Sequence, residues 1–114
     1  MEKYIENRPW GKFERFAYNE PCTVKLLYIK PGEELSLQYH QNRDEFIKVI
    51  QGQGEVIIGD KKMLAKKGDE FFIPKTTKHR VKAMNGEEME ILEISFGKFD
   101  ENDEIRLEDK YNRK

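Results

Sequence analysis

Apolar positions in this chain alternate with polar ones over short runs, and turn residues interrupt those runs at close intervals. A two-residue period marks a half-buried strand, and helical periodicity is scarce. Residues 23–30 (TVKLLYIK) are predicted as a strand ended by Pro31-Gly32, and residues 34–40 (ELSLQYH) as the next, ended by the polar turn 41–44. Residues 45–50 (EFIKVI) and 55–58 (EVII) flank a glycine-containing turn; Gly59-Asp60 closes the second, and Met63, Leu64 and Ala65 continue beyond it. Residues 70–73 (EFFI) stop at Pro74, while 79–84 (HRVKAM) and 88–96 (EMEILEISF) flank Asn85-Gly86, a strong hairpin signal. Many short strands so closely spaced predict an all-β fold, an antiparallel sandwich or barrel. Residues 100–114 are too charged for a core and are expected to form a short helix or a strap across the surface.

The length of 114 residues implies one domain, residues 1–114. Charged residues make up 38% and hydrophobic residues 37%, so charge must cover the surface. Lys plus Arg number 21 against 22 Asp plus Glu, and a net charge of −1 leaves no footprint for nucleic acid or an acidic membrane. The single cysteine, Cys22, rules out an internal disulfide and fits a reducing compartment. Residues 1–19 hold no apolar segment of the signal-peptide kind, and no run approaches a membrane span. The expectation is a cytoplasmic, soluble protein.

Two spaced phrases concentrate the chemistry: Gly32-x5-Gln38-x-His40-x4-Glu45-x6-Gly52, and Gly68-x5-Pro74-x4-His79. The chain's two histidines fall one in each. Gln38 and His40 are two apart on a predicted strand, so they share a face with Glu34 and Ser36, while Leu35, Leu37 and Tyr39 take the other face. The turn after His40 returns Glu45 to its side, with Ile47 and Val49 continuing the Glu45 face as apolar wall. His79 arrives from a separate strand. Two imidazoles, a carboxylate and an amide oxygen suit one divalent ion, Zn first, with Mn, Fe, Co or Ni as alternatives. The competing reading makes these ordinary hydrogen-bonded or solvated strand residues; the joint agreement of spacings, turn glycines and Pro74 favours the metal site.

Together the phrases resemble the two motifs of the cupin superfamily, in which a small jelly-roll β-barrel carries metal ligands into its cavity. Further elements narrow the resemblance: Arg8-Pro9-Trp10-Gly11, Lys30-Pro31-Gly32, Leu35-Ser36-Leu37-Gln38-x-His40, Arg43-x-Glu45, Ile73-Pro74-x-Thr76-x-x-His79-Arg80 and Arg106-x-Glu108-Asp109-x-Tyr111-x-Arg113. In this order they look like the type II mannose-6-phosphate isomerase domain, the cupin half of bifunctional mannose-1-phosphate guanylyltransferase/mannose-6-phosphate isomerases. The resemblance implies a cupin jelly roll with Gln38, His40, Glu45 and His79 as metal ligands. The chain is too short to hold a nucleotidyltransferase domain as well. It departs from the family at Gln41-Asn42, where a histidine run is common, and at Phe46-Ile47, where His-Trp is common. Lys48 replaces an apolar residue, and Thr76 and Ala83 stand where many cupins have glycine and asparagine.

The implied reaction moves a carbonyl between C1 and C2, interconverting mannose 6-phosphate and fructose 6-phosphate. It requires a base beside the acidic C–H and cations for the phosphate. Glu93 is the candidate base because it interrupts the apolar run 89–96; an outward-facing strand glutamate is the plain alternative. Arg43 is the first candidate for a contact to the substrate's anionic or enediolate oxygens, with Asp44 as its alternative surface partner. Lys25, Arg80 and Arg106 follow as substrate-binding candidates. Two other functions fit the residues: a cupin that binds a sugar or sugar phosphate without turnover, and a metal-dependent oxygenase. Gln38 and the isomerase-like elements argue against the oxygenase. A homodimer is expected through Leu35, Leu37, Phe46 and Ile50, unless these pack under the chain's own termini.

Overall fold

The alternating runs become strands at nearly every predicted place. A computed structural model describes residues 2–111 and contains eleven strands; Arg113, the last member of the terminal motif, lies outside the described residues. The order is β1 (Tyr4–Arg8), β2 (Gly11–Arg15), β3 (Cys22–Ile29), β4 (Leu37–Tyr39), β5 (Glu45–Gln51), β6 (Gln53–Ile58), β7 (Lys61–Lys66), β8 (Glu70–Ile73), β9 (His79–Ala83), β10 (Met89–Phe96) and β11 (Ile105–Glu108). Four of these departed from expectation. Hairpin β1–β2, turning at Pro9-Trp10, was not predicted. The charged tail supplies a strand, β11, rather than a helix. Only 37–39 of the predicted strand 34–40 is regular, because Glu34 makes an isolated bridge to Lys82 and Leu35 accepts from the Arg80 side chain.

Two antiparallel sheets face each other in the cupin jelly-roll arrangement. One has the order β3-β10-β5-β8 and the other β11-β4-β9-β6-β7, while β1 and β2 form a two-stranded sheet of their own. Side chains of one pleat face meet between the sheets: Ile29, Ile47, Val49, Val56, Val81, Met89 and Ile91 are buried there. Each such aliphatic side chain contributes about 1.5–3 kcal/mol by leaving water. Leu35 also packs against this core, contrary to the face assigned from a regular strand. Within the second sheet, β9 runs so close to β6 that a Cβ on Gly54 would lie 2.0 Å from the Lys82 carbonyl oxygen, so only glycine fits. No helix among the described residues is long and apolar enough to cross a membrane.

Candidate metal centre

Sheet register brings together what the chain keeps apart. His40 lies at the end of β4, Glu45 opens β5, and His79 opens β9. Gln38 pairs with His79 across β4 and β9, and Glu45 pairs with Ser95 across β5 and β10. Glu45 Oε1 is 3.1 Å from His40 Nε2 and 3.4 Å from His79 Nε2. Potential ligand atoms of the three residues all lie within 4.8 Å of one another, and all three residues are buried. Ligands each about 2.1 Å from one ion would be separated by roughly 3.0–3.4 Å. This triad could therefore hold a divalent ion.

The tautomers support that use. His40 Nδ1 is 2.6 Å from the Asp103 carbonyl oxygen, and His79 Nδ1 is 3.0 Å from that of Thr77. Nδ1–H donation to these carbonyls orients both rings with Nε2 beside Glu45; with no ion Nε2–H donates to the carboxylate, and loss of that proton would free Nε2 to ligate a metal. Burial disfavours charge on His40, but the hydrogen bonds to Glu45 and the Asp103 carbonyl outweigh it and raise its pKa. Burial also acts against the Glu45 carboxylate; hydrogen bonds from His40, His79 and Ser95 nevertheless hold its pKa well below the ordinary range. Ser95 Oγ donates to Glu45 Oε2 at 2.8 Å.

A cavity of about 210 Å³ opens from His40 and is lined mainly by Lys25, Gln38, Arg43, Glu93, Glu101, Glu104 and Arg106. Glu93 faces inward, two residues from Ser95 on β10, rather than outward as an ordinary surface glutamate. Burial and the charge of Glu45 push its pKa up to about 7, against the pull of Lys25, Arg43 and His40. Gln38 borders the cavity; its amide nitrogen fits donation to Glu104 at 2.7 and 3.0 Å and to Ser36 Oγ at 3.0 Å. Arg43 is buried rather than held at the mouth. Its Nη2 is 3.3 Å from His40 Nε2, its Nε is 3.3 Å from Glu45 Oε2, and Nη1 donates to the Asp100 carbonyl at 3.2 Å. Asp44 is not its partner, since that carboxylate accepts the Lys75 backbone N–H.

Arg80 departs from expectation. It neighbours His79 on β9, so the pleat turns it to the opposite face. There it donates to the Leu35 carbonyl and reaches Glu108, away from the cavity. Several residues around the triad and the cavity escaped the sequence reading. Ser95 sits among apolar neighbours and is found only through its cross-strand pairing with Glu45. Asp103, whose carboxylate also accepts the backbone N–H groups of Gln41 and Asn42, lies 63 residues from His40 in a segment read as surface. Glu101, Glu104 and Phe99 belong to the same segment.

A family model described as Mannose-6-phosphate isomerase C-terminal matches residues 2–109. The chain belongs to this family. Among its relatives, the xanthan biosynthesis protein XanB of Xanthomonas campestris is 36% identical over 107 residues, 93% of this chain and 23% of the relative. The mannose-1-phosphate guanylyltransferase ManC of Salmonella typhimurium is 33% identical over 107 residues, 93% of this chain and 22% of the relative. The chain thus spans less than a quarter of these proteins, so their names describe molecules with much additional sequence. A cupin-superfamily sugar phosphate isomerase from Silicibacter pomeroyi shares the fold, with a TM-score of 0.62 and 22% identity over 68% of this chain and 51% of that one. Membership in the isomerase C-terminal family and the cupin fold agree with the motif resemblance.

Proposed function

We propose that this chain is a metal-dependent aldose–ketose isomerase of a sugar phosphate, with mannose 6-phosphate and fructose 6-phosphate as the pair. The observation that carries the reading is one cavity that reaches the His40–Glu45–His79 triad through His40 and holds an inward-facing Glu93 whose pKa is near 7. A divalent ion held by His40, Glu45 and His79, with Gln38 beside them, would supply Lewis acidity toward the sugar's oxygens. Glu93, half ionised near neutrality, takes the proton from C2 of the open-chain aldose and returns it to C1. The hydroxyl proton passes from O2 to O1, so the product is the ketose with no net change in composition. Arg43 donates to the enediolate oxygens, and Lys25 and Arg106 hold the phosphate.

A coupled assay of fructose 6-phosphate formation tests the reading. Turnover is expected with a divalent metal and is expected to stop on chelation. In the His40→Ala, His79→Ala double variant both metal content and turnover should fall to background. Sugar-phosphate binding without turnover under any of several divalent metals would reassign the chain as a binding module.

A further inference from the structure

Lys25, Arg43 and Arg106 line the cavity, and segment 98–108 meets each of them. Arg43 is buried, donates to the Asp100 carbonyl, and has its guanidinium carbon 4.5 Å from the Phe99 ring centroid. Arg106 is 2.7 Å from Glu104, which also receives the Gln38 amide. Lys25 is held differently. Its acidic partner Glu101 is 3.5 Å away with 79% of its side chain exposed. The Lys25 ammonium also lies 4.3 Å from the Phe99 ring centroid, and across the sheet it pairs with Glu93. The Arg106 Nε–H is buried with no hydrogen-bond acceptor among the described residues, and that of Arg43 has only the Glu45 Oε2 ion pair at 3.3 Å, without hydrogen-bond geometry. The cavity therefore offers more donors than its own carboxylates use.

The charges restrict how an anion can enter. Three cations face the carboxylates Glu45, Glu93, Glu101 and Glu104. Glu45 is fixed by two histidines and Ser95, Glu93 is buried on β10, and Glu104 is tied to Arg106 and Gln38. Only Glu101 can swing into water at little cost, because an exposed ion pair contributes little. A lysine ammonium is a compact charge with three donors, suited to a tetrahedral oxyanion.

We propose that Glu101 is an internal anion that occupies Lys25 until a ligand's phosphate replaces it, making Glu101 a determinant of anion affinity. The proposal rests on reading the cavity as a sugar-phosphate site, and it concerns the exchange alone. Outward rotation of Glu101 removes one negative charge from the mouth as the phosphate brings its own. Lys25 then stays neutralised throughout, and Phe99 keeps its stem in place.

Isothermal titration calorimetry of the full chain with inorganic phosphate tests the exchange. Glu101→Gln should tighten phosphate binding about two- to fivefold, the scale of one exposed ion pair. Glu55→Gln, which removes a carboxylate from the outer face of β6, should leave it unchanged. Lys25→Gln should weaken binding, and adding Glu101→Gln to it should restore nothing. Equal affinity in wild type and Glu101→Gln overturns the proposal, as does a full gain in the double variant or an absence of phosphate binding in both proteins. The readout needs no turnover: an inactive protein that shows the exchange would sink the isomerase reading alone, and an active one without it would sink this proposal alone.

Discussion

Glu93 shows how a single residue carries opposite consequences for activity and stability. Its folded pKa of about 7 lies above the ordinary glutamate value of about 4.3 because burial and Glu45 disfavour its charge. Between those pH values the folded state keeps a proton that the unfolded chain releases. Stability therefore falls as pH rises through this window and levels off above 7, at a cost on the order of 3 kcal/mol. Glu93→Gln does not titrate. With chelator present in both proteins, its Tm should exceed that of wild type at pH 8, and the gap should close toward pH 5. Its isomerase rate should fall at least about a hundredfold. Equal Tm values at pH 8 would show that the carboxylate is not buried at a cost, and undiminished turnover would exclude it as the base.

Two connecting elements hold the candidate ligands in place, and their sequences gave different amounts of warning. The turn before β9 contains Thr76, at the position where many cupins have glycine, and its φ is +67°. A β-branched residue is strained in that left-handed region. The turn keeps the conformation because the Thr76 N–H donates to the His40 carbonyl at 2.6 Å, linking the two ligand-bearing segments. Thr76→Gly relieves the strain but frees the unfolded chain, so a net gain of about 0.5–1 kcal/mol is expected in urea melts. A loss of stability would mean that the threonine methyl or hydroxyl contributes packing or hydrogen bonding worth more than the strain. The segment leading to β11 gave no such warning. Its acids read as solvated charge, yet Asp103 orients His40 and caps Gln41 and Asn42, and β11 pairs with β4 beside Gln38.

The molecule has a radius of gyration of 14.7 Å, where about 13 Å is ordinary for this length. Hairpin β1–β2 accounts for the difference. Lys3 binds Glu70, and Phe16 stacks on Phe46 just beyond the hairpin, while Trp10 at its tip is exposed. Phe46 is thereby covered by the chain's own N-terminal segment and Leu35 by the core, so neither is free to pair two subunits as the sequence reading had it. The exposed apolar stripe lies elsewhere, at Val24, Leu26 and Tyr28 on edge strand β3. An open edge with alternating apolar side chains invites another strand, and a lone two-stranded hairpin needs packing to persist. A second copy of the chain would supply both. Sedimentation is expected to show a dimer that Leu26→Lys converts to a monomer with an unchanged circular dichroism spectrum. A wild-type protein that stays monomeric at every concentration would remove this interface.

Local pattern was enough for most strands of the two main sheets, β11 excepted, because alternation and turn residues act over a few positions. The pleat and one turn bring His40 and Glu45 together, while His79 joins them through the pairing of β4 with β9. Tertiary structure decided which other side chains face that cluster. Arg80 went to the outer face by the same pleat that brought His79 in, and Glu93 went inward because β10 pairs with β3 and β5 in the register that buries Ile91 and Ser95. Glu101 and Glu104 reached the cavity, and Asp103 reached His40, because β11 docks against β4, an antiparallel pairing between distant segments that no local period encodes.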